Sequence, residues 1–381
     1  MKLFTASLVT LAMLTAAGPA AAESKPLEVS GYYKNLSIFT ESLVTGEDIY
    51  ATINRLRVEL FKEVNPWSFQ ITLDNELIGN DFANTPDFAA IRSREQQNTS
   101  VWDGDKTSVD NDHVYLRHAV YRAFAKYYSP DFQVTMGKQG IDWGVMRFYS
   151  PNDIFNTVGP IDLERDERVG VDAINANFTL GSLSGVNAVV VPSDDEEEFM
   201  AAVKVYRTVE TYDVALITAI IREQVIAGIT FDGYIKSAGF RGEINHNHQD
   251  DGRNFLRASV GVDYSFSDKT YVLIEQLFNG GVDKNAAATF LTDFKANRRL
   301  LSLEKNLTSL WLQYKITPLL ELNQYVIYDW DGNSAVYNPE LSYNLTENTD
   351  ITAGVQINFG DNGSEFGDTP DLYYAQFQLF F

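Results

Sequence analysis

Long stretches of this chain place an apolar residue at every second position. Trp67, Phe69, Ile71 and Leu73 interleave with Ser68, Gln70, Thr72 and Asp74. Leu256, Ala258, Val260, Val262, Tyr264 and Phe266 alternate with Arg257, Ser259, Gly261, Asp263 and Ser265, and Ile351, Ala353, Val355, Ile357 and Phe359 with Thr352, Gly354, Gln356 and Asn358. Successive side chains in a strand point to opposite faces, so each stretch reads as a strand between an apolar and a polar medium. The composition fits. The chain is 45% hydrophobic and 13% aromatic, yet its mean hydropathy is only −0.19.

Alternation alone suits a soluble sandwich nearly as well as a membrane barrel, and the connections separate the two. Short polar turns are expected at Thr346 to Asp350, Thr317-Pro318, Ser267 to Lys269, Phe231 to Gly233, Val209 to Tyr212, Gly181 to Ser184, Ser129-Pro130 and Glu63 to Pro66. Between them fall mostly longer connections: Gly360 to Pro370, Asp331 to Asn333, Asn279 to Asn297, Asn247 to Arg253, Glu223-Gln224, Ser193 to Glu198, Gly140 to Arg168, Asn80 to Asp112 and Glu41 to Glu47. Tight turns at one end and long loops at the other are the pattern of transmembrane β-barrels. Counting back from Phe381 gives about eighteen antiparallel strands, an even number that leaves both termini on the periplasmic side. The stretches Val225 to Thr230 and Gly185 to Val191 are brief for a spanning strand of about 9 to 11 residues. Without them the count is sixteen.

Residues 1–22 read as a cleaved export leader, with Lys2, an apolar run from Leu3 to Ala17, and Ala20-Ala21-Ala22 before Glu23. The expected mature chain, 23–381, is one barrel domain. With no cysteine, disulfide frameworks and Cys-ligated metal centres are excluded, and a net charge of −22 argues against nucleic acid as a partner. In hydrocarbon every backbone amide must be paired internally, which a closed barrel achieves. The rings of Trp67, Tyr127, Tyr128, Phe132, Tyr264 and Phe266 then fall beside the short turns, where aromatic girdles form.

Two segments resemble known proteins. Tyr373, Ala375, Phe377, Leu379 and Phe381 form one apolar face of the last strand, which resembles the C-terminal signature of Gram-negative outer-membrane barrels. That resemblance implies an outer-membrane location, with lipid, lipopolysaccharide and the barrel-assembly machinery as partners. Gly137-Lys138-Gln139, Trp143-Gly144 and Pro151-Asn152-Asp153-Ile154-Phe155-Asn156 resemble a motif of outer-membrane porin-like barrels. The match departs at Ser150-Pro151 before Asn152 and at Thr157 after Asn156.

A barrel of this size is wide enough for water unless something enters it. Gly140 to Arg168 is the expected infolded loop, carrying Arg147, Asp153, Glu164, Arg165, Asp166 and Arg168. On the wall, Arg55, Arg57 and Glu59 share one face of a strand, and His118, Arg122 and Lys126 share another. A cation turned to lipid costs about 2–4 kcal/mol at mid-depth, so these side chains are expected to face the lumen. Opposed to acids on the loop they would set up a transverse field. Alternatively they neutralise one another and stiffen the wall.

Excess acid lies in the outer connections. Asn80 to Asp112 holds seven acids against three bases, for −4, and Asp194 to Glu198 adds −5. Catalytic patterns are weak: His246 and His248 form an H-x-H expected in a loop, and the centre of Gly181 to Gly185 is Leu183 rather than serine. No cofactor and no enzymatic activity are expected. The reading is a passive porin for small hydrophilic or charged solutes, compatible with a homo-oligomer. A sheath for an exported polymer or an electron-transfer partner, and more remotely an outer-membrane hydrolase, stand as alternatives.

Overall fold

The computed structural model describes residues 25–96, 101–102, 104–111, 113–155, 163, 170–193, 199–221, 224–282 and 301–381. Nineteen strands form one sheet among these residues. They are β1 (Glu28–Glu41), β2 (Asp48–Val64), β3 (Trp67–Gly79), β4 (Lys106–Asn111), β5 (Val114–Tyr128), β6 (Phe132–Gln139), β7 (Val171–Gly181), β8 (Ser184–Val191), β9 (Met200–Val209) and β10 (Tyr212–Ile221). They continue with β11 (Gln224–Ile235), β12 (Ala238–Gln249), β13 (Asn254–Ser267), β14 (Thr270–Asn279), β15 (Asn306–Lys315), β16 (Leu320–Asp329), β17 (Ser334–Thr346), β18 (Thr349–Phe359) and β19 (Leu372–Phe380).

Every pairing is antiparallel, and β1 pairs with both β2 and β19, which closes the sheet. Strand β4 is not a member of the ring. It flanks the outer half of β5 at Val114 to His118, while β3 runs along the other edge of β5. Eighteen strands therefore form the wall. The sixteen-strand alternative is overturned, because both brief stretches are full members and β11 extends over twelve residues. No described helix is long and apolar enough to cross a membrane.

Side-chain direction follows from the alternation. Leu216, Ile220, Ile229, Ile244, Val260 and Ile274 are exposed on the outer face, while their neighbours Ile217, Ala219, Thr230, Glu243, Ser259 and Glu275 are buried inside. An outer face of this kind suits hydrocarbon, and the paired backbone of a closed sheet leaves no edge amide unanswered there. Near the short turns, Trp67 meets Tyr127 at 5.0 Å, Tyr127 meets Phe132 at 5.8 Å and Tyr264 meets Phe266 at 4.9 Å between ring centroids. These rings form a band of the kind in which amphipathic side chains suit a membrane interface.

One strand breaks its own alternation. Thr72 pairs with Arg122 but Leu73 pairs with Val120, so Tyr121 is an extra residue, a β-bulge, in β5. A one-residue insertion switches every later side chain to the opposite face. Arg122 and Lys126 stand opposite the buried Thr72 and Ser68, whereas His118 stands opposite Asn75, between the exposed Leu73 and Leu77. His118 therefore faces outward, and the expectation that it lines the lumen with Arg122 and Lys126 is corrected.

A second correction concerns His246 and His248. They lie in strand β12 rather than in a loop, exposed and alternating with the buried Asn245 and Asn247.

Candidate functional site: the narrowed lumen

After β6 the chain leaves the wall and enters the barrel. At Gly137 φ is +121°, and a Cβ there would lie 2.2 Å from the Ala123 carbonyl oxygen, so only glycine fits. The following segment, 140–155, is apolar where it meets the wall. Ile141, Trp143, Ile154 and Phe155 pack on Val171, Val189, Met200, Ile217, Ile221 and Ile226, the inward residues of β7 to β11. Phe148 and Tyr149 pack on a second patch, Leu273, Leu277, Leu307, Ile327 and Val336, with Phe366 from the β18–β19 loop. The segment thus bridges two separate parts of the inner wall.

Between these patches its backbone needs hydrogen-bond partners, since a buried unpaired amide is costly. Two wall carboxylates supply them. Glu243 Oε1 accepts from the Val145 and Met146 amides at 2.5 and 3.2 Å and from Ser150 Oγ at 2.8 Å, while its Oε2 accepts from the Asn152 amide at 2.7 Å. Glu275 accepts from the Arg147 and Phe148 amides, both at 2.9 Å. Asn152 Nδ2 donates to the Ile229 carbonyl at 3.1 Å, and Asn245 Nδ2 donates to the Pro151 carbonyl at 2.6 Å. Gly228 makes room for this contact, because a Cβ there would come within 2.5 Å of Asn152 Oδ1. Trp143 Nε1 donates to Asn187 Oδ1 at 2.9 Å.

Asp142 and Arg147 are the exposed charged side chains of this segment. Asp153 is buried, its amide donating to the Ser150 carbonyl at 3.2 Å. Glu164, Arg165, Asp166 and Arg168 lie outside the described residues, as do 1–24, Asn156, Thr157 and the acidic run 194–198.

The wall cations divide into two groups. Arg57 makes a two-point pair with Asp74, Nε to Oδ1 and Nη2 to Oδ2, both at 2.6 Å. Arg55 reaches Glu76 Oε1 through Nε at 2.7 Å and Nη2 at 2.5 Å, and Arg117 bridges Glu76 at 3.5 Å and Asp105 at 2.5 Å. The acids that Arg55 and Arg57 meet are thus on the adjacent strand β3, a belt within the wall. Glu59 sits opposite Thr72 on the same inward face. Arg122 lies 4.2 Å from the Tyr121 ring centroid, and Lys126 lies 5.1 Å from that of Tyr128.

The barrel mouth carries a second inserted element that the sequence patterns missed. Helix α1 (Pro86–Gln96) drops Phe88 between Ile78 and Tyr115, all three buried. Asp87 holds it to the β1–β2 connection through Ser42 Oγ at 2.5 Å and the Leu43 amide at 2.9 Å. Its run of polar residues reads as a loop, and its one buried ring gives no periodic signal.

At the outer rim, Glu304, Asp329 and Asp331 bring carboxylate oxygens within 4.8 Å of one another. Much of their capacity is committed to the loops. Asp329 accepts from the Asp331 and Gly332 amides, both at 2.9 Å, and Asp331 accepts from the Asn306 amide at 2.7 Å. Beside them Glu365 accepts from Ser302 Oγ at 2.5 Å, and burial pushes its carboxyl up to about 7.

In sequence the chain matches no family model and no curated protein. In structure it is similar to Acinetobacter baumannii OccAB1, with a TM-score of 0.61 at 8% identity over 96% of this chain and 99% of that one. It is also similar to a barrel described for the asymmetric conductivity of engineered proteins, with a TM-score of 0.50 at 12% identity over 93% of this chain and all of that one. A triple mutant of Rhodopseudomonas blastica porin aligns over the same 93%, with a TM-score of 0.49 at 12% identity. At such identities the likeness concerns the closed antiparallel barrel.

Proposed function

We propose that this chain is an outer-membrane porin, a passive water-filled channel through which small hydrophilic or charged solutes move down their own gradient. One observation carries the reading. Segment 140–155 is clamped to the inner wall by Glu243 and Glu275, and its Asp142 and Arg147 are left exposed. A fixed constriction edged by charge admits hydrated solutes and rejects apolar ones. The barrel described for conductivity supports the same reading by its fold.

In this reading residues 1–22 are a leader removed on export from a Gram-negative cytoplasm, and the face ending at Phe381 is read by the barrel-assembly machinery. Lipopolysaccharide then surrounds the outer rim. A polymer sheath calls for an unobstructed lumen, and the inserted segment weighs against it. Ion conductance of the purified protein in planar bilayers tests the proposal. Discrete steps above background are expected, and their absence would exclude a channel.

A further inference from the structure

On the short-turn side of the inserted segment the lumen wall changes from aliphatic to aromatic. Leu273, Trp311 and Tyr325 stand side by side on β14, β15 and β16. Leu273 is fully buried in the patch under Phe148 and Tyr149, whereas the two rings beside it are only partly covered. Their planes lie 27° apart with centroids at 5.7 Å, and Tyr271, one inward position nearer the short turns, meets Trp311 at 5.3 Å. Phe148 of the inserted segment lies 6.3 Å from Tyr325, so the rings lead away from the constriction without a break.

The next inward row is polar. Gln313, Asn323 and Glu340 are register partners on β15, β16 and β17, two residues and so about 7 Å from the ring row. Trp311 Nε1 donates to Asn323 Oδ1 at 3.0 Å, which fixes the indole plane. Asn323 Nδ2 and Gln313 Nε2 donate to Glu321 Oε1 at 3.1 and 2.7 Å, and with both bonds on that oxygen Oε2 stays open as an acceptor. The Tyr374 hydroxyl donates to Glu340 Oε2 at 2.8 Å, and Gly354 leaves it room, since a Cβ there would lie 2.5 Å from that hydroxyl.

This order of surfaces selects a class of solute. Tyr and Trp rings offer broad, rigid contact at little cost in side-chain entropy, and small-molecule sites pair such surfaces with a few placed polar groups. A pyranose with equatorial hydroxyls has two C–H faces and a polar rim. One face covers a ring while the rim reaches the row of amides and carboxylates. An aromatic solute would leave that row unmet, at the cost of its displaced water. An anion would meet Glu321 and Glu340, and a small cation would leave the breadth of the rings unused.

We propose that Tyr271, Trp311 and Tyr325 form a ledge that binds a neutral oligosaccharide of equatorial pyranoses as it passes, with Gln313, Glu321 and Glu340 taking its hydroxyls. The inference rests on the channel reading and narrows it to one solute class. Cellotriose is the probe. Calorimetry on the detergent-solubilised barrel is expected to show saturable binding, and in planar bilayers the sugar should interrupt the ion current in proportion to its concentration. Trp311→Leu keeps apolar bulk but removes the flat face, and should weaken binding about tenfold. Trp311→Phe should weaken it less, and Trp330→Leu, at an exposed outer turn, not at all. Glu321→Ala removes an acceptor without touching the rings and should also weaken binding, with heat-modifiable gel mobility confirming that each variant folds. Ion steps without cellotriose binding, binding undiminished in both Trp311→Leu and Glu321→Ala, or interruption by spermidine and not by cellotriose would overturn the ledge and leave the channel standing. Cellotriose binding without ion steps would keep the ledge and remove the channel.

Discussion

The Asn152 amide and Glu243 meet at 2.7 Å although 91 residues separate them in the chain. The same carboxylate takes two more amides and a hydroxyl from the inserted segment, so one wall side chain sets where the constriction lies. Replacing it by glutamine turns one acceptor oxygen into a donor group that faces other donors. Each hydrogen bond to a charged acceptor is worth about 1.5–3 kcal/mol. Glu243→Gln is therefore expected to leave a folded barrel with a loosened segment, measured as larger and noisier single-channel conductance. Glu275→Gln should act in the same direction but less strongly, having two amides to lose.

Arg57 and Asp74 form the most buried of the wall pairs, with side chains 7% and 6% exposed. Removing one partner of such a pair strands the other charge, at a cost of about 3–5 kcal/mol, whereas replacing both by apolar groups costs far less. Asp74→Leu should lower the urea midpoint of the refolded barrel markedly. The double change Arg57→Leu/Asp74→Leu should recover most of the loss.

Arg147 is exposed on the inserted segment, while Arg55 is held between two acids. Charge reversal at Arg147 should move the reversal potential in a salt gradient toward cation selectivity. Arg55→Glu leaves a third acid beside Asp74 and Glu76 and is expected to reduce the yield of folded barrel more than Arg147→Glu does. Equal folding yields for the two variants would contradict the belt described for the wall.

Glu365 sets a pH dependence at the outer rim. Its folded value of about 7 lies above the ordinary 4.5, so between those limits the folded rim holds a proton that an open rim releases. Rim stability is therefore greatest below about pH 4.5 and falls as pH rises through 7, by roughly 3 kcal/mol at most. Protease cleavage within residues 360–371 should be slower at pH 5 than at pH 8, after correction for protease activity. Glu365→Gln should remove the difference and leave the rim resistant at both.

The wall was legible because two periodicities, one of side chains and one of connection lengths, had to agree over the whole chain. Strand β11 is the clearest gain from the coordinates: Val225 to Thr230 alone is short, and the pairing with β12 carries it to Ile235. Strand β5 marks where such reasoning stops. His118, Arg122 and Lys126 share a face only if the strand is regular, and the extra residue at Tyr121 has no signature in composition. Arg55 and Arg57 were placed on the correct face, but their partners on β3 depend on register, which alternation fixes only to within two residues. The anchoring role of Glu243 and Glu275 was invisible for a related reason. Each is one acid on a polar face, and the amides it serves lie more than ninety residues earlier.

That distance also makes the aperture a property of the whole ring. The inserted segment precedes Glu243 by 91 to 98 residues and Glu275 by 127 or 128, so no single hairpin contains its fastenings. Strands β7 to β11 offer it an apolar bed, and β12 and β14 answer its amides. A change of register anywhere between β6 and β14 would therefore move the carboxylates against the segment and reset the opening.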